Sequence, residues 1–237
     1  MKNNFIMKGI STVATVGVFL PTVAIGGDFN FSPYFGADIG IKHTGFKSGY
    51  GDKIFKSKQP VGSIFAGVEI CPNLDLGLVL ERTISSSKRN SSLGDGSMSL
   101  GKTLVTANPG GSMNYDNSRA KFSSIGIDLI YKFSFAEYDK FKPLIGLGIK
   151  RVKAKLTSHI TDSTNANYSR DINLSNNNSK TIFKLTGGAE YMFTNHFGGR
   201  VLLSFENTSK LKPSDASGRT AKLKNSFGAT LGAIVRI

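Results

Sequence analysis

The chain has 237 residues, with 30 lysines and arginines against 16 aspartates and glutamates, and its formal net charge is +14. Its single cysteine, Cys71, excludes an intramolecular disulfide, and we interpret it as an incidental free thiol. Glycine and phenylalanine are abundant, tryptophan is absent and helical patterns are few, which together favour one all-strand domain over a helical or two-domain protein.

The first 26 residues have the pattern of a secretory signal peptide. Lysines and no acid precede the apolar run 9–20, Pro21 ends the run, and residues 24–26 offer a cleavage site. The alternative, a retained membrane helix, needs about twenty unbroken apolar residues, and no later segment reaches that length either. We predict a signal peptide over 1–26 and an exported domain over 27–237, which can span a membrane only as a closed β-barrel.

Eight segments alternate apolar and polar residues with a period of two, as half-buried strands do. Several are about ten residues long, which is the length that a tilted strand needs to cross a bilayer. The segments are 34–42, 61–70, 74–82, 122–133, 142–152, 181–193, 197–206 and 226–237.

The connections between these segments alternate in length. Short turns at one end and long loops at the other are typical of transmembrane barrels, so the pattern predicts an all-β fold, an eight-stranded antiparallel up-and-down transmembrane β-barrel. The long loops are rich in Ser, Asn, Gly and Lys, and we expect them to have mobile tips. The short connections are 71–73, 134–141 and 194–196, and the long ones are 43–59, 83–121, 153–180 and 208–224.

The charged face of each strand must point into the barrel. Lys132, Lys184 and Arg200 lie well inside strands, and a Lys or Arg that faced lipid near the midplane would cost about 2–4 kcal/mol. A soluble lipocalin-like barrel would reverse the faces and line a ligand cavity with the apolar residues. That alternative explains neither the two classes of connection nor the apolar last strand.

The hairpin 181–207 allows a prediction of register. If 194–196 is a three-residue turn, Glu190 lies opposite Arg200 and Lys184 lies opposite Glu206 on the lumen face. A slip by one residue would separate both opposite-charge pairs and turn the charges outward. We therefore predict two lumen charge pairs, Glu190 with Arg200 and Lys184 with Glu206.

Three runs carry a family resemblance: Gly-Gly-Ala-Glu-Tyr-Met-Phe-Thr-Asn-His-Phe at 187–197, Pro-Leu-Ile-Gly-Leu-Gly-Ile at 143–149 and Phe-Gly-Ala-Thr-Leu-Gly at 227–232. In this order they resemble the eight-stranded outer-membrane β-barrel family of opacity-type surface antigens and adhesins, over about residues 31–237. The resemblance implies a location in the outer membrane of a Gram-negative bacterium. It also implies a role as an adhesin, a serum-resistance factor or a structural barrel.

The last strand resembles the sorting signal that the outer-membrane insertion machinery recognises. Polar Thr230 and small Gly232 alternate with apolar residues, and Val235 and Ile237 occupy the last alternate positions. The strand departs from the pattern because it lacks a terminal aromatic residue. We nevertheless predict these four residues to form the insertion signal, with the insertion machinery as a partner.

The predicted loops carry the excess positive charge. Residues 43–59, 82–121, 151–180 and 207–224 hold 20 basic and 6 acidic residues. Such loops face outward, so they are expected to attach to the phosphates of lipopolysaccharide or to an acidic glycan or receptor of a host cell. The alternative is that the loops are only solvated and antigenically variable. Nucleic-acid binding fits the pI of 9.9 but not the compartment.

Catalysis has little support in the sequence. The three histidines, His43, His159 and His196, have no catalytic motif around them, and no metal cluster, cofactor motif or phosphate loop is present. We expect a surface antigen or adhesin that is not an enzyme and uses no cofactor. A small diffusion pore is the competing class, although eight strands enclose a lumen only wide enough to be filled by side chains.

Overall fold

A computed structural model describes twelve segments of the chain. The predicted signal peptide lies outside the described residues, as does Pro72 in the first short turn. Within the described segments, no helix is both long and apolar enough to cross a membrane. The described segments are 32–47, 55–71, 73–84, 87–88, 91–93, 97–100, 103–106, 113–135, 140–162, 169–175, 179–214 and 221–237.

Eight long strands form a closed antiparallel barrel. Each strand pairs with its neighbours in the sequence, and the first strand pairs with the last, which closes the sheet. The predicted fold class and strand number are thereby confirmed. The strands are β1 (Ser32–Phe46), β2 (Lys58–Cys71), β3 (Leu74–Thr83), β4 (Met113–Lys132), β5 (Phe141–Asp162), β6 (Lys180–Met192), β7 (Phe197–Glu206) and β8 (Leu223–Arg236).

The hairpin of β6 and β7 has the predicted register. Glu190 lies opposite Arg200 and Lys184 lies opposite Glu206 in the backbone pairing. The turn is stabilised by Thr194, whose hydroxyl oxygen accepts a hydrogen bond of 3.0 Å from the amide of Phe197. A local turn that satisfies its own backbone groups fixes the register, and the register fixes the face of every side chain in both strands.

One face of the barrel strands is apolar and exposed, as expected for a surface in contact with lipid. Short turns are periplasmic and long connections are extracellular in barrels of this topology. At the periplasmic end, Tyr131 packs edge-on against Phe133, and Phe193 stacks on Phe197, with ring centroids 5.1 and 5.7 Å apart. These pairs form part of an aromatic girdle where the barrel meets the membrane interface.

Strands β4 and β5 are much longer than predicted. They contain 20 and 22 residues and remain paired with each other to Met113 and Asp162, beyond the predicted strand ends at 122 and 152. The predicted loops 83–121 and 153–180 therefore contain strand, including short strands within 87–106 and the strand Ser169–Ser175, which pairs with β5. The extra length of about ten residues exceeds what a bilayer requires, so this wall projects outward.

An apolar cluster fills the extracellular end of the barrel, and we call it the apolar cap. Leu174 from the strand Ser169–Ser175 and Leu211 beyond β7 are fully buried in it, together with Ile182 of β6. These described parts of the connections contribute buried apolar side chains, whereas the tips of the long loops lie outside the described residues and their mobility stays a prediction. The cap comprises Phe46, Phe55, Ala120, Phe122, Val152, Ala154, Leu156, Leu174, Ile182, Leu211, Ala221 and Leu223.

Substitution within the apolar cap tests whether it stabilises the barrel. Ile182→Ala should lower the free energy of unfolding by about 2–5 kcal/mol, because it leaves a cavity at a fully buried position. Ile84→Ala is the matched control, since Ile84 is 64% exposed and should cost less than about 0.5 kcal/mol. Guanidinium titration of the assembled protein measures both, and equal losses would contradict a packed cap.

Candidate functional site

The acidic side chains that the structure describes lie in the interior of the barrel. All seven aspartates and glutamates whose side chains the structure describes lie on inward-facing strand positions, and five of them are at most 5% exposed. A buried carboxylate must be paired or hydrogen-bonded to remain charged. The seven are Asp38, Glu69, Asp75, Glu81, Asp128, Glu190 and Glu206.

A ring of four charges crosses the extracellular half of the lumen. Lys42 contacts Glu81 and lies 2.9 Å from Glu206, while Lys150 lies 2.8 Å from Glu81 and 2.7 Å from Glu206. The four residues come from the alternate strands β1, β3, β5 and β7. In a barrel, inward-pointing residues of alternate strands lie in the same layer. Each ammonium thus meets two carboxylates and each carboxylate meets two ammonium groups.

Two ion pairs lie below this ring. Lys184 Nζ is 2.7 Å from Asp128 Oδ2. The Arg200 guanidinium donates two hydrogen bonds to the Asp38 carboxylate, at 2.8 and 2.7 Å, and its central carbon lies 3.4 Å from the centre of the Phe65 ring. A bidentate pair with an aromatic face beneath it holds the guanidinium in one orientation.

Arg236 organises the periplasmic end of the lumen. Its guanidinium lies 2.9 Å from Glu190, 3.0 Å from Asp75 and 3.2 Å from Glu69. Lys132 lies 3.0 Å from Glu69 and 2.9 Å from Asp75. Two cations therefore bind three carboxylates from β2, β3 and β6, and the penultimate residue of the chain is at the centre of this cluster.

The predicted lumen residues lie in the lumen, but their ion pairs are not the predicted ones. Glu190 binds Arg236, and Arg200 binds Asp38. Lys184 binds Asp128, and the lysine partners of Glu206 come from β1 and β5. Backbone register sets which residues are opposite in the sheet, but long side chains also reach across a narrow lumen. Strands that are distant in sequence therefore supply the partners.

Glycine provides the room for two of these carboxylates. A Cβ added at Gly232 would collide with the Asp38 side chain, and one at Gly148 would collide with the Asp128 side chain. Gly232 and Thr230 face the lumen on β8, whereas Val235 and Ile237 face outward at the periplasmic end. The assignment of these four residues to an insertion signal stays a prediction.

Two exposed basic regions lie outside the lumen. The first, which we call the lysine surface, consists of lysines on or next to the connections β1–β2 and β7–β8. These two connections meet because β1 pairs with β8. Where they meet, the Lys47 amide donates a hydrogen bond of 2.9 Å to the Lys222 carbonyl. The second, the wall cluster, lies on the outer face of β4 and β5 and contains Arg119, Lys121, Arg151, Lys153 and Lys155. The lysine surface contains Lys47, Lys56, Lys58, Lys210, Lys212, Lys222 and Lys224, all exposed.

Two of the three histidines lie outside the charged layers of the lumen, and the backbone of His159 lies opposite Asp116 and Asp171 in the extended part of β5. His196 lies in the periplasmic turn, where Nδ1 is 3.1 Å from the Arg236 carbonyl oxygen, and His43 is exposed on β1. Within the described residues, no three His, Cys, Asp or Glu side chains form a group that could hold a metal ion.

A double-mutant cycle can distinguish the observed pairs from the predicted ones. Asp38→Ala and Arg200→Ala should each cost about 3–5 kcal/mol, because each leaves a buried charge unpaired, and their coupling energy should be about 1–3 kcal/mol. The control cycle joins Glu190→Ala with Arg200→Ala, residues that are opposite in register but bind other partners. Because Glu190 and Arg200 are neighbours in the sheet, some coupling is expected, but it should be weaker than at Asp38. Stronger coupling there than at Asp38 would contradict the observed pairing.

The comparisons with known proteins agree with this architecture. A family model described as "Outer membrane protein beta-barrel domain" matches residues 10–233, whereas the comparison with curated protein sequences finds no match. The structure of Neisserial surface protein A is similar at 15% identity and a TM-score of 0.53, over 86% of this chain and 97% of that chain. An identity this low shows only that the fold is shared.

Two further solved structures are similar at lower scores. A major outer membrane protein from Thermus thermophilus has 15% identity and a TM-score of 0.49, over 86% of this chain and 99% of that chain. Ail, the attachment invasion locus protein of Yersinia pestis, has 14% identity and a TM-score of 0.47, over 87% and 99%. The narrower resemblance to opacity-type antigens stays a prediction. Since the family model spans most of the chain, the protein belongs to the outer-membrane β-barrel family and is located in the outer membrane.

Proposed function

We propose that this barrel is a non-enzymatic surface protein, an adhesin or surface antigen, that attaches to acidic polysaccharides of another cell through its extracellular lysines. The separation of charge is the observation that supports this function. The described carboxylates face the lumen and pair there with buried cations. The lysine surface therefore has no described carboxylate beside it to neutralise its field.

The lysine surface suits a flexible polyanion. Its cations come from the ends of connections that the barrel closure brings together, and each ammonium group is a mobile point charge without a fixed hydrogen-bonding fork. Lys210 Nζ lies 5.7 Å from the centre of the Phe183 ring, which is an aromatic contact and not an ion pair. Many weak, movable charges bind a repeating anion through the release of its counterions and without a shaped pocket.

A diffusion pore is the competing function, and the lumen argues against it. The four-charge ring, the Arg200–Asp38 pair and the Arg236 cluster place long side chains across three levels of the interior. The apolar cap lies above them. A water-filled path would have to separate buried ion pairs, and breaking one of them costs several kcal/mol. This arrangement supports a filled lumen.

Attachment should depend on salt and on the lysine surface. Binding of the assembled protein to a heparin-like polymer should fall steeply as salt rises to about 0.5 M, where the screening length is a few ångström. In the triple variant Lys56→Gln/Lys58→Gln/Lys222→Gln, the slope of log affinity against log salt should become shallower by roughly two, because fewer counterions are released. Surface plasmon resonance over a salt series measures this slope.

The matched control for this experiment is the triple variant Lys121→Gln/Lys153→Gln/Lys155→Gln, which removes the same charge from the wall cluster. It should keep a slope close to that of the unmodified protein. Binding that is insensitive to salt, or equal losses in the two triple variants, would refute attachment through the lysine surface.

The filled lumen can be tested by electrical recording. The assembled protein, reconstituted in a planar bilayer, should give no steady conductance steps, because its charged layers leave no continuous path for ions. A porin of sixteen strands, whose wide lumen is a channel, is the positive control in the same bilayer. Steady steps from this protein would favour the pore.

A further inference from the structure

The outer face of β4 and β5 changes character within two residues. On β5 the outward positions are apolar as far as Ile149, and the next outward residues are Arg151, Lys153 and Lys155, all exposed. Residues in a strand rise about 3.3 Å each, so these cations lie roughly 7–20 Å along the strand from the last apolar side chain. The wall cluster therefore begins at the level of the lipid headgroups with Arg151 and continues outward from there.

The wall cluster brings like charges directly opposite one another. Lys121 pairs in register with Lys155, and the neighbouring pairs are Ser123 with Lys153 and Ile125 with Arg151. Directly opposite side chains have Cβ atoms about 4.5–5.5 Å apart, and like charges at that distance are destabilising. Arg151 is held by a hydrogen bond to the Ser179 hydroxyl. No carboxylate lies on this face within the described side chains.

Two adjoining depressions lead from the cations to the lipid surface. A cleft of about 480 Å³ lies among the cations, lined by hydroxyl groups of Ser123 and Ser179 as well as by Arg151 and Lys153. A groove of about 690 Å³ lies on the apolar face next to it. Both depressions share Ile125 and Arg151, so a ligand with an anionic head and apolar tails could occupy them together. The apolar lining of the groove includes Leu78, Ile125, Ile127, Leu147, Ile149 and Phe183.

We propose that this wall binds one phosphorylated, acylated glycolipid of the outer leaflet, the lipid A part of lipopolysaccharide. Its phosphates bind the wall cluster, and acyl chains lie in the groove. Five exposed cations spread over two strands exceed what the single phosphate of a phospholipid can neutralise, so they favour a head with two phosphates on a sugar. A phosphate between Lys121 and Lys155 removes their repulsion by forming charge-assisted hydrogen bonds. The site depends on the outer-membrane location and is independent of the attachment proposed for the lysine surface.

Native mass spectrometry of the assembled protein in detergent can test this site. The protein is titrated with diphosphoryl lipid A, with lipid A from which the phosphates have been removed, and with phosphatidylglycerol. Diphosphoryl lipid A should bind with one-to-one stoichiometry and be retained most strongly. The wall variant Lys121→Gln/Lys153→Gln/Lys155→Gln should bind it at least about tenfold more weakly, since it loses charge-assisted hydrogen bonds to the phosphates.

The control variant Lys56→Gln/Lys58→Gln/Lys222→Gln should bind lipid A within about twofold of the unmodified protein. Heat-modifiable gel mobility checks that each variant is assembled, and the single variant Lys155→Gln replaces the triple one if that fails to assemble. Three results would each overturn the site. The first is that phosphatidylglycerol binds as tightly as lipid A, and the second is that lipid A without phosphates binds as well as the diphosphoryl form. The third is that the wall variant and the control variant lose equal affinity for lipid A. Polymer binding measured on the same variants reports separately on the lysine surface.

Discussion

The constraint on which this structure depends is that a charge on a membrane-spanning strand cannot face lipid and cannot be buried alone. Eight strands enclose too little space for free water around each charge, so every lumen cation needs a carboxylate within reach. The four-charge ring, the Arg200–Asp38 pair and the Arg236 cluster meet this requirement at successive levels. Glycines at 148 and 232 follow from it, because a larger residue would occupy the carboxylate position.

The same constraint shapes the exterior. The carboxylates of the membrane-spanning strands are bound inside, and the cations that exceed them in number are placed on the connections and on the projecting wall of β4 and β5. Among the described residues, the excess positive charge therefore lies on the outer surface and not in the lumen. Two basic regions of different geometry result, one on a fixed sheet beside an apolar groove and one on neighbouring connections. We therefore expect the two regions to differ in the ligands that they bind because their geometries differ, although both are basic.

Local features of the fold could be predicted from the sequence, and non-local ones could not. The β6–β7 register followed from a three-residue turn and a period of two, both of which are local. The ends of β4 and β5 were missed because the alternation reverses at the membrane boundary. In β5, Leu147 points outward, whereas Leu156 points inward to the apolar cap. The partner of Arg200 was missed because Asp38 is 162 residues away and becomes its neighbour only when the barrel closes.

Arg236 gives the closure of the barrel an all-or-none character. Before β8 docks, Glu69, Asp75 and Glu190 stand on three strands of an open sheet, without Arg236. Among the described residues, Lys132 is then the cation that pairs with this group, through Glu69 and Asp75. A partly closed sheet would hold these three carboxylates close together with a single cation. The arrival of Arg236 supplies the second cation at the same step in which the Ile237 amide binds the Pro33 carbonyl at 2.9 Å. Electrostatic repulsion thus disfavours the incomplete barrel, and seam formation and partial charge neutralisation become a single cooperative event.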